Sequence, residues 1–246
     1  MGCVTHPGGS PPKLGGMSTD APRIQQDQAY YGDTYLFETT ATVVAAGTDG
    51  DGAWAAVSPN IFHPKGGGQP SDEGTVNGIP VTPSRNDDGL VVLSGGTEAL
   101  EPGTAVGCSI DAELRKRHAA LHTAGHVLGH LGEARGWTST GHSHYPGQAR
   151  LDFSPEGLEA ELATPELREQ VRGELQEALD AVLTRGGAVS AATDAAGHRT
   201  VTIEGVNSEP CGGTHVARLE DLRDVRVLEL KIKRGALKVR YEAEHA

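Results

Sequence analysis

The sequence is short of cysteine, of aromatic residues and of positive charge. Its three cysteines, Cys3, Cys108 and Cys211, are odd in number and far apart. That argues against a disulfide framework and fits a reducing compartment, so a cytoplasmic location is expected. Aromatic residues make up 4% and hydrophobic residues 37%, while glycine reaches 34 positions. This balance points away from a compact helical bundle and toward a body rich in strands and loops. No apolar stretch approaches the roughly 18 residues of a membrane span, so a soluble chain with no membrane partner is expected. The net charge of −12 argues against tight, nonspecific binding to phosphates, and DNA is not an expected partner. Room remains for a brief nucleic-acid encounter through a local basic patch. The candidates are Arg115, Lys116 and Arg117, or Lys231, Lys233, Arg234, Lys238 and Arg240. The first 20 residues lack a basic patch followed by an apolar stretch and do not read as a secretion signal. Residues 1–30 are expected to be a disordered leader, with Met17 a second possible start.

Short apolar stretches at 37–46, 53–57, 75–81, 90–93 and 105–110 alternate with turn signals. Asp49-Gly50-Asp51-Gly52, Asn77-Gly78 and Asp88-Gly89 favour tight reversals, so this region predicts a small barrel or sandwich. The pattern changes near Asp111. Over 113–135, Leu121, Ala124, Leu128 and Leu131 share one arc of a helix, and His118, His122, His126 and His130 share another. A second helix starts at Thr164-Pro165, a cap followed by proline, and stops at Gly186-Gly187. Stretches 225–233 and 236–241 around Arg234-Gly235 predict a closing hairpin. The order strands, helix, helix, strands gives an α+β class.

His122 and His126 stand four apart, on one helical face within reach of a single ion. Cys211 and His215 repeat the spacing in a glycine-rich turn. Two histidines, a cysteine sulfur and a third histidine form an N/S donor set suited to tetrahedral Zn2+. The competing reading is a row of histidines on a wet helix face. His118 and His130, which extend the row, are expected to be just that.

These residues resemble a family. His122-Thr123-Ala124-Gly125-His126 is similar to the first zinc motif of the AlaX-type alanyl-tRNA editing proteins and of the alanyl-tRNA synthetase editing domain, with the threonyl enzyme's editing domain more distant. Ser208-Glu209-Pro210-Cys211-Gly212-Gly213-Thr214-His215-Val216 resembles the second motif. The segment 62–74, with Gly66-Gly67-Gly68-Gln69 at its centre, and Arg150-Leu151-Asp152-Phe153 are also similar to family segments. The resemblance runs from about Tyr35 to Tyr241. It departs at His63, where tyrosine is usual, and at Gly125, where a larger residue is usual, so a roomier pocket is expected beside the metal.

The resemblance implies a small N-terminal β-barrel or sandwich, 31–112, followed by an α/β editing domain with a zinc site, 113–246. It implies zinc ligands His122, His126, Cys211 and His215, with His215 either a tight ligand or a looser catalytic neighbour. Thr123 becomes a catalytic or recognition hydroxyl for a substrate OH. Gly66, Gly67, Gly68, Gln69 and Gly125 become substrate-binding positions. The implied activity is hydrolysis of the ester of a mischarged aminoacyl-tRNA at its acceptor end, by default seryl-tRNA(Ala). Threonyl-tRNA or a non-standard aminoacyl-tRNA such as fluorothreonyl-tRNA is the alternative substrate. A rival of another class is a zinc-stabilised module that binds tRNA without chemistry. A metallopeptidase is disfavoured, because Thr123 stands where His-Glu-x-x-His enzymes carry their glutamate. Lys65 is an ordinary surface lysine that can meet a phosphate, Asp152 is structural, and Cys3 and Cys108 receive no role. The sequence assigns no oligomeric state.

Overall fold

A computed structural model describes residues 24–158 and 160–246. Cys3 and most of the expected leader lie outside them. Residues 24–30, also counted as leader, lie against the body. The Gln26 amide donates to Val57 O at 2.9 Å and Val91 O at 2.8 Å, and accepts from Val91 N. Tyr30 is buried.

Six strands close a barrel: β1 (Glu38–Asp49), β2 (Gly52–Ser58), β3 (Gly74–Val76), β4 (Ile79–Arg85), β5 (Val91–Ser94) and β6 (Ala105–Ile110), in the order β1-β2-β5-β4-β3-β6. Closure leaves no free edge. The stretch 75–81, read as one strand, is instead the β3–β4 hairpin. Asn77 and Gly78 both adopt positive φ, 51° and 81°, as a two-residue reversal requires. Ala41, Val43, Val57, Phe62, Leu93 and Val106 fill the interior.

Asp111 caps α1 (Ala112–Ala134) by accepting Leu114 N–H at 2.9 Å. Thr164 caps α2 (Pro165–Arg185), which ends at Gly186 with φ 68°. Between the helices lie β7 (Ser139–Ser143) and β8 (Arg150–Phe153). After them come β9 (Val189–Thr193), β10 (Arg199–Ile203), β11 (Asn207–Pro210), β12 (Leu222–Lys233) and β13 (Ala236–His245). The sheet β12-β13-β8-β7 packs on both helices around Leu121, Leu128, Phe153, Leu175, Leu179 and Val239, while β11-β10-β9 forms a second small sheet. The α+β class holds, but β7 to β11 add strands that apolar periodicity does not signal. β7 reads Ser-Thr-Gly-His-Ser, without one apolar side chain. Among the described residues no helix is long and apolar enough to cross a membrane.

The barrel meets α1 through Arg115. Expected from the sequence in a basic surface patch, Arg115 is in fact fully buried. Its Nε donates to Asp72 Oδ1 at 2.9 Å, Nη2 pairs with Asp72 Oδ2, and the remaining donors reach Ile61 O and Thr34 O at 2.6 and 3.0 Å. Every oxygen it meets belongs to the barrel or to the segment leading into it.

His118 is likewise buried, not on a wet face, and its Nδ1 has no partner among the described residues. Burial lowers its pKa to about 4; the Asp72 and Asp111 carboxylates oppose the shift and the Arg115 and Arg117 cations add to it. The unfolded chain therefore takes up this proton first. The corresponding stability is complete above pH 6.5, the ordinary histidine value, and is lost as pH falls toward 4. The urea midpoint should drop across that window. His118→Leu should recover up to about 3 kcal/mol of the loss. An unchanged pH slope in the variant would assign the loss to other groups.

Candidate metal centre

The structure brings His122, His126, Cys211 and His215 together, with one donor atom from each within 4.8 Å of the others. Cys211 Sγ lies 3.6 Å from His122 Nε2 and 3.3 Å from His215 Nε2. Zinc bonds of about 2.3 Å to sulfur and 2.0–2.1 Å to imidazole place S and N about 3.5 Å apart in a tetrahedron. The spacing and the donor types fit a zinc-like cation.

Two of the three imidazoles are held from behind by hydrogen bonds. His122 Nδ1 donates to Gln69 Oε1 at 2.7 Å. That oxygen also accepts Thr214 N–H at 3.0 Å, and Gln69 Nε2 donates to Thr214 Oγ1 at 2.9 Å. With its proton fixed on Nδ1, His122 presents a free Nε2 lone pair to the centre. His215 Nδ1 meets Thr123 Oγ1 at 3.1 Å, and that hydroxyl also accepts Val216 N–H at 3.2 Å. His126 Nδ1 lies 2.8 Å from Glu209 Oε1, although the N–H is not well aligned with it.

The ligand turn 211–215 is clamped by Arg199, whose Nη1 donates to Cys211 O at 2.7 Å and Gly213 O at 2.9 Å while Nε reaches Tyr31 O. Gly213 admits no side chain, since a Cβ there would strike the His122 ring and Gln69 Oε1. Burial, then the neighbouring rings, hold His122 and His215 far below the ordinary histidine range. Burial also lowers His126, but Cys211 and Glu209 outweigh it and raise the pKa to about 9.

Above the donors opens a cavity of about 480 Å³, lined by His122, His126 and Cys211, by Gly66 and Gly67, and by Lys65 and Arg85. Gly66 and Gln69 exchange both backbone hydrogen bonds, so the glycine segment is a tight turn. Of the expected substrate positions, two with buried side chains lie away from the cavity wall. Gln69 and Thr123 are fully buried behind the ligands, do not line the cavity, and orient His122 and His215. Gly125 does line the cavity, but the expected extra room is taken. A Cβ there would lie 2.5 Å from His144 Cε1 and 2.6 Å from the Tyr241 hydroxyl. Sequence reasoning missed His144. Its ring stacks on His122 with centroids 4.4 Å apart and 20° between planes, and His142 stacks on its other side at 5.0 Å. His130, expected on a wet face, also lines the cavity. Asp152 pairs with Arg150 and Lys238, in keeping with a structural role.

A barrel sits against a helix-and-sheet body, and a His/His/Cys/His cluster that could hold a metal ion lies beside an open cavity. No family model matches the chain. It is 31% identical to the alanyl-tRNA editing protein AlaX-M of Methanosarcina barkeri, over 83% of this chain and 93% of that protein. Against AlaX-M of Pyrococcus horikoshii it is 28% identical, over 85% and 91%. The alanine–tRNA ligase of Haloquadratum walsbyi matches at 28% over 83% of this chain but only 24% of the ligase. The chain belongs to the AlaX family of alanyl-tRNA editing proteins.

Proposed function

We propose that this protein is a trans-editing aminoacyl-tRNA deacylase that uses zinc and hydrolyses the ester between a mischarged amino acid and the terminal ribose of tRNA, with seryl-tRNA(Ala) its first substrate. The observation that carries the reading is the four-donor centre on the floor of an open cavity in a chain of this family. His122, His126, Cys211 and His215 hold the ion. Bound there, zinc supplies a Lewis acid for an ester carbonyl. Gln69, Thr123 and Glu209 keep the imidazoles aligned. Gly66 and Gly67 let the ribose approach the backbone closely, and Lys65 and Arg85 on the cavity wall offer cations to acceptor-end phosphates. The division into 31–112 and 113–246 then has a purpose: the barrel contributes one wall and Gln69, and the second part contributes the ligands.

One observation favours a rival. Four protein donors can close a metal site, as in structural zinc centres. A zinc-stabilised module would bind tRNA and leave every ester intact. The test is deacylation of seryl-, glycyl-, alanyl-, threonyl- and fluorothreonyl-tRNA, with His122→Ala as control. The expected result is zinc-dependent loss of the seryl ester with the alanyl ester spared. Loss of the threonyl or fluorothreonyl ester instead would reassign the substrate. Survival of all five, with tRNA still bound, would establish the module.

A further inference from the structure

The hydrogen bonds around His144 fix where its proton sits. Tyr241 Oη lies 3.0 Å from Leu121 O, and a carbonyl can only accept, so the single phenolic proton is spent there. At the 2.5 Å contact between Tyr241 Oη and His144 Nδ1, the imidazole must therefore be the donor. A neutral imidazole with its proton on Nδ1 carries an unprotonated Nε2. The ring is nearly sealed. Cε1 faces the bare backbone of Gly125 and Cδ2 faces Gly68, while His144 N–H donates to Gly68 O at 2.8 Å. Only the tip between those carbons is left, and Nε2 has no partner among the described residues. His144 is 2% exposed, yet it lines the cavity beside His122. It is a buried acceptor aimed at the space a substrate would fill.

We propose that His144 is the specificity-determining residue of the cavity, its Nε2 accepting the side-chain hydroxyl of the aminoacyl group. This rests on the deacylase reading. The chemistry selects a hydroxyl over the other donors of an aminoacyl ester. An α-ammonium is better matched by the carboxylates of Glu133 and Glu209, both on the cavity wall. The ribose hydroxyls are common to every aminoacyl-tRNA and cannot discriminate. A role as general base is less suited, because the chain behind His144 ends in Tyr241 and a backbone carbonyl, with no carboxylate to stabilise an imidazolium. Thr123, the hydroxyl that the sequence offered for this task, is enclosed behind His215. A site that reserves a buried acceptor for an OH leaves it unpaired against an analogue lacking one, and so rejects that analogue.

His144→Phe keeps a ring against His122 and removes the acceptor. In the zinc-loaded protein, the ratio of kcat/KM for seryl- over alanyl-tRNA should fall roughly 10- to 100-fold, with zinc content unchanged. Equal losses on both esters would overturn the assignment. A second measurement needs neither hydrolysis nor a folded variant. The pyridine-type 15N signal of His144 Nε2 in the wild-type protein should move on adding seryl-adenosine amide and stay in place with the alanyl amide. Movement with both amides, or with neither, would also overturn it. A wild-type protein that cleaves no ester but shows the seryl-specific shift would sink the deacylase reading and leave His144 standing.

Discussion

Cys211→Ser is expected to lose bound zinc and to lower deacylation of the preferred ester roughly 100- to 1,000-fold, while the protein stays folded. The activity loss follows from the donor set, since a hydroxyl is a far poorer ligand than a thiolate for zinc. Retention of the fold follows from what else holds the turn. Arg199 ties Cys211 O and Gly213 O to Tyr31 O, and Gln69 pins Thr214. The large core around Leu128, Phe153 and Leu175 does not include any of the four ligands. Gln69→Ala should sit between wild type and Cys211→Ser, with metal affinity reduced about 10- to 100-fold, because it frees the His122 tautomer without removing a ligand. Metal analysis, circular dichroism and deacylation on the same preparations check all three. Zinc retained at one per chain in Cys211→Ser would place the metal elsewhere. Unfolding on metal loss would make the centre structural and favour the binding module.

The four clustered donors were legible because each half of the set lies within one turn of chain, four residues apart. The barrel was legible because its reversals carry Asn-Gly and Asp-Gly. What sequence order hides is contact between distant positions. Gln69 supports His122 across 53 residues, and His144 meets Tyr241 across 97. Nothing in the glycine-rich segment says that its glutamine turns inward, away from the cavity. Gly125 is the sharper case. A small residue between two ligands reads as empty space, yet β7 runs on into His144 and delivers an imidazole into it. Local size indicates where space can form, but only tertiary packing says what fills it. His118 and Arg115 failed for a related reason. On a helix that faces a barrel as well as a sheet, a polar arc need not be a wet one.

Arg115→Met is expected to be the most destabilising of the single substitutions considered, by about 3–5 kcal/mol, with the loss seen as a lower urea midpoint at unchanged slope. The cost arises less from the missing attraction than from what is stranded. Among the described residues, Asp72 would keep a buried carboxylate with only the His63 N–H, at 2.5 Å, to satisfy it. Ile61 O and Thr34 O would each lose a donor. Removing the stranded charge as well should recover much of the loss. Asp72→Asn combined with Arg115→Met is therefore expected to be more stable than Arg115→Met alone, as for other buried pairs in which one partner, not the pair, is the liability. The ion pair also spans the seam that sets Gln69 against His122, because Asp72 follows the glycine turn by only a few residues. Arg115→Met should thus weaken metal binding even at temperatures where it remains folded. A variant with ordinary zinc affinity and a lowered midpoint would separate the seam from the centre, and would leave Gln69 alone to position His122.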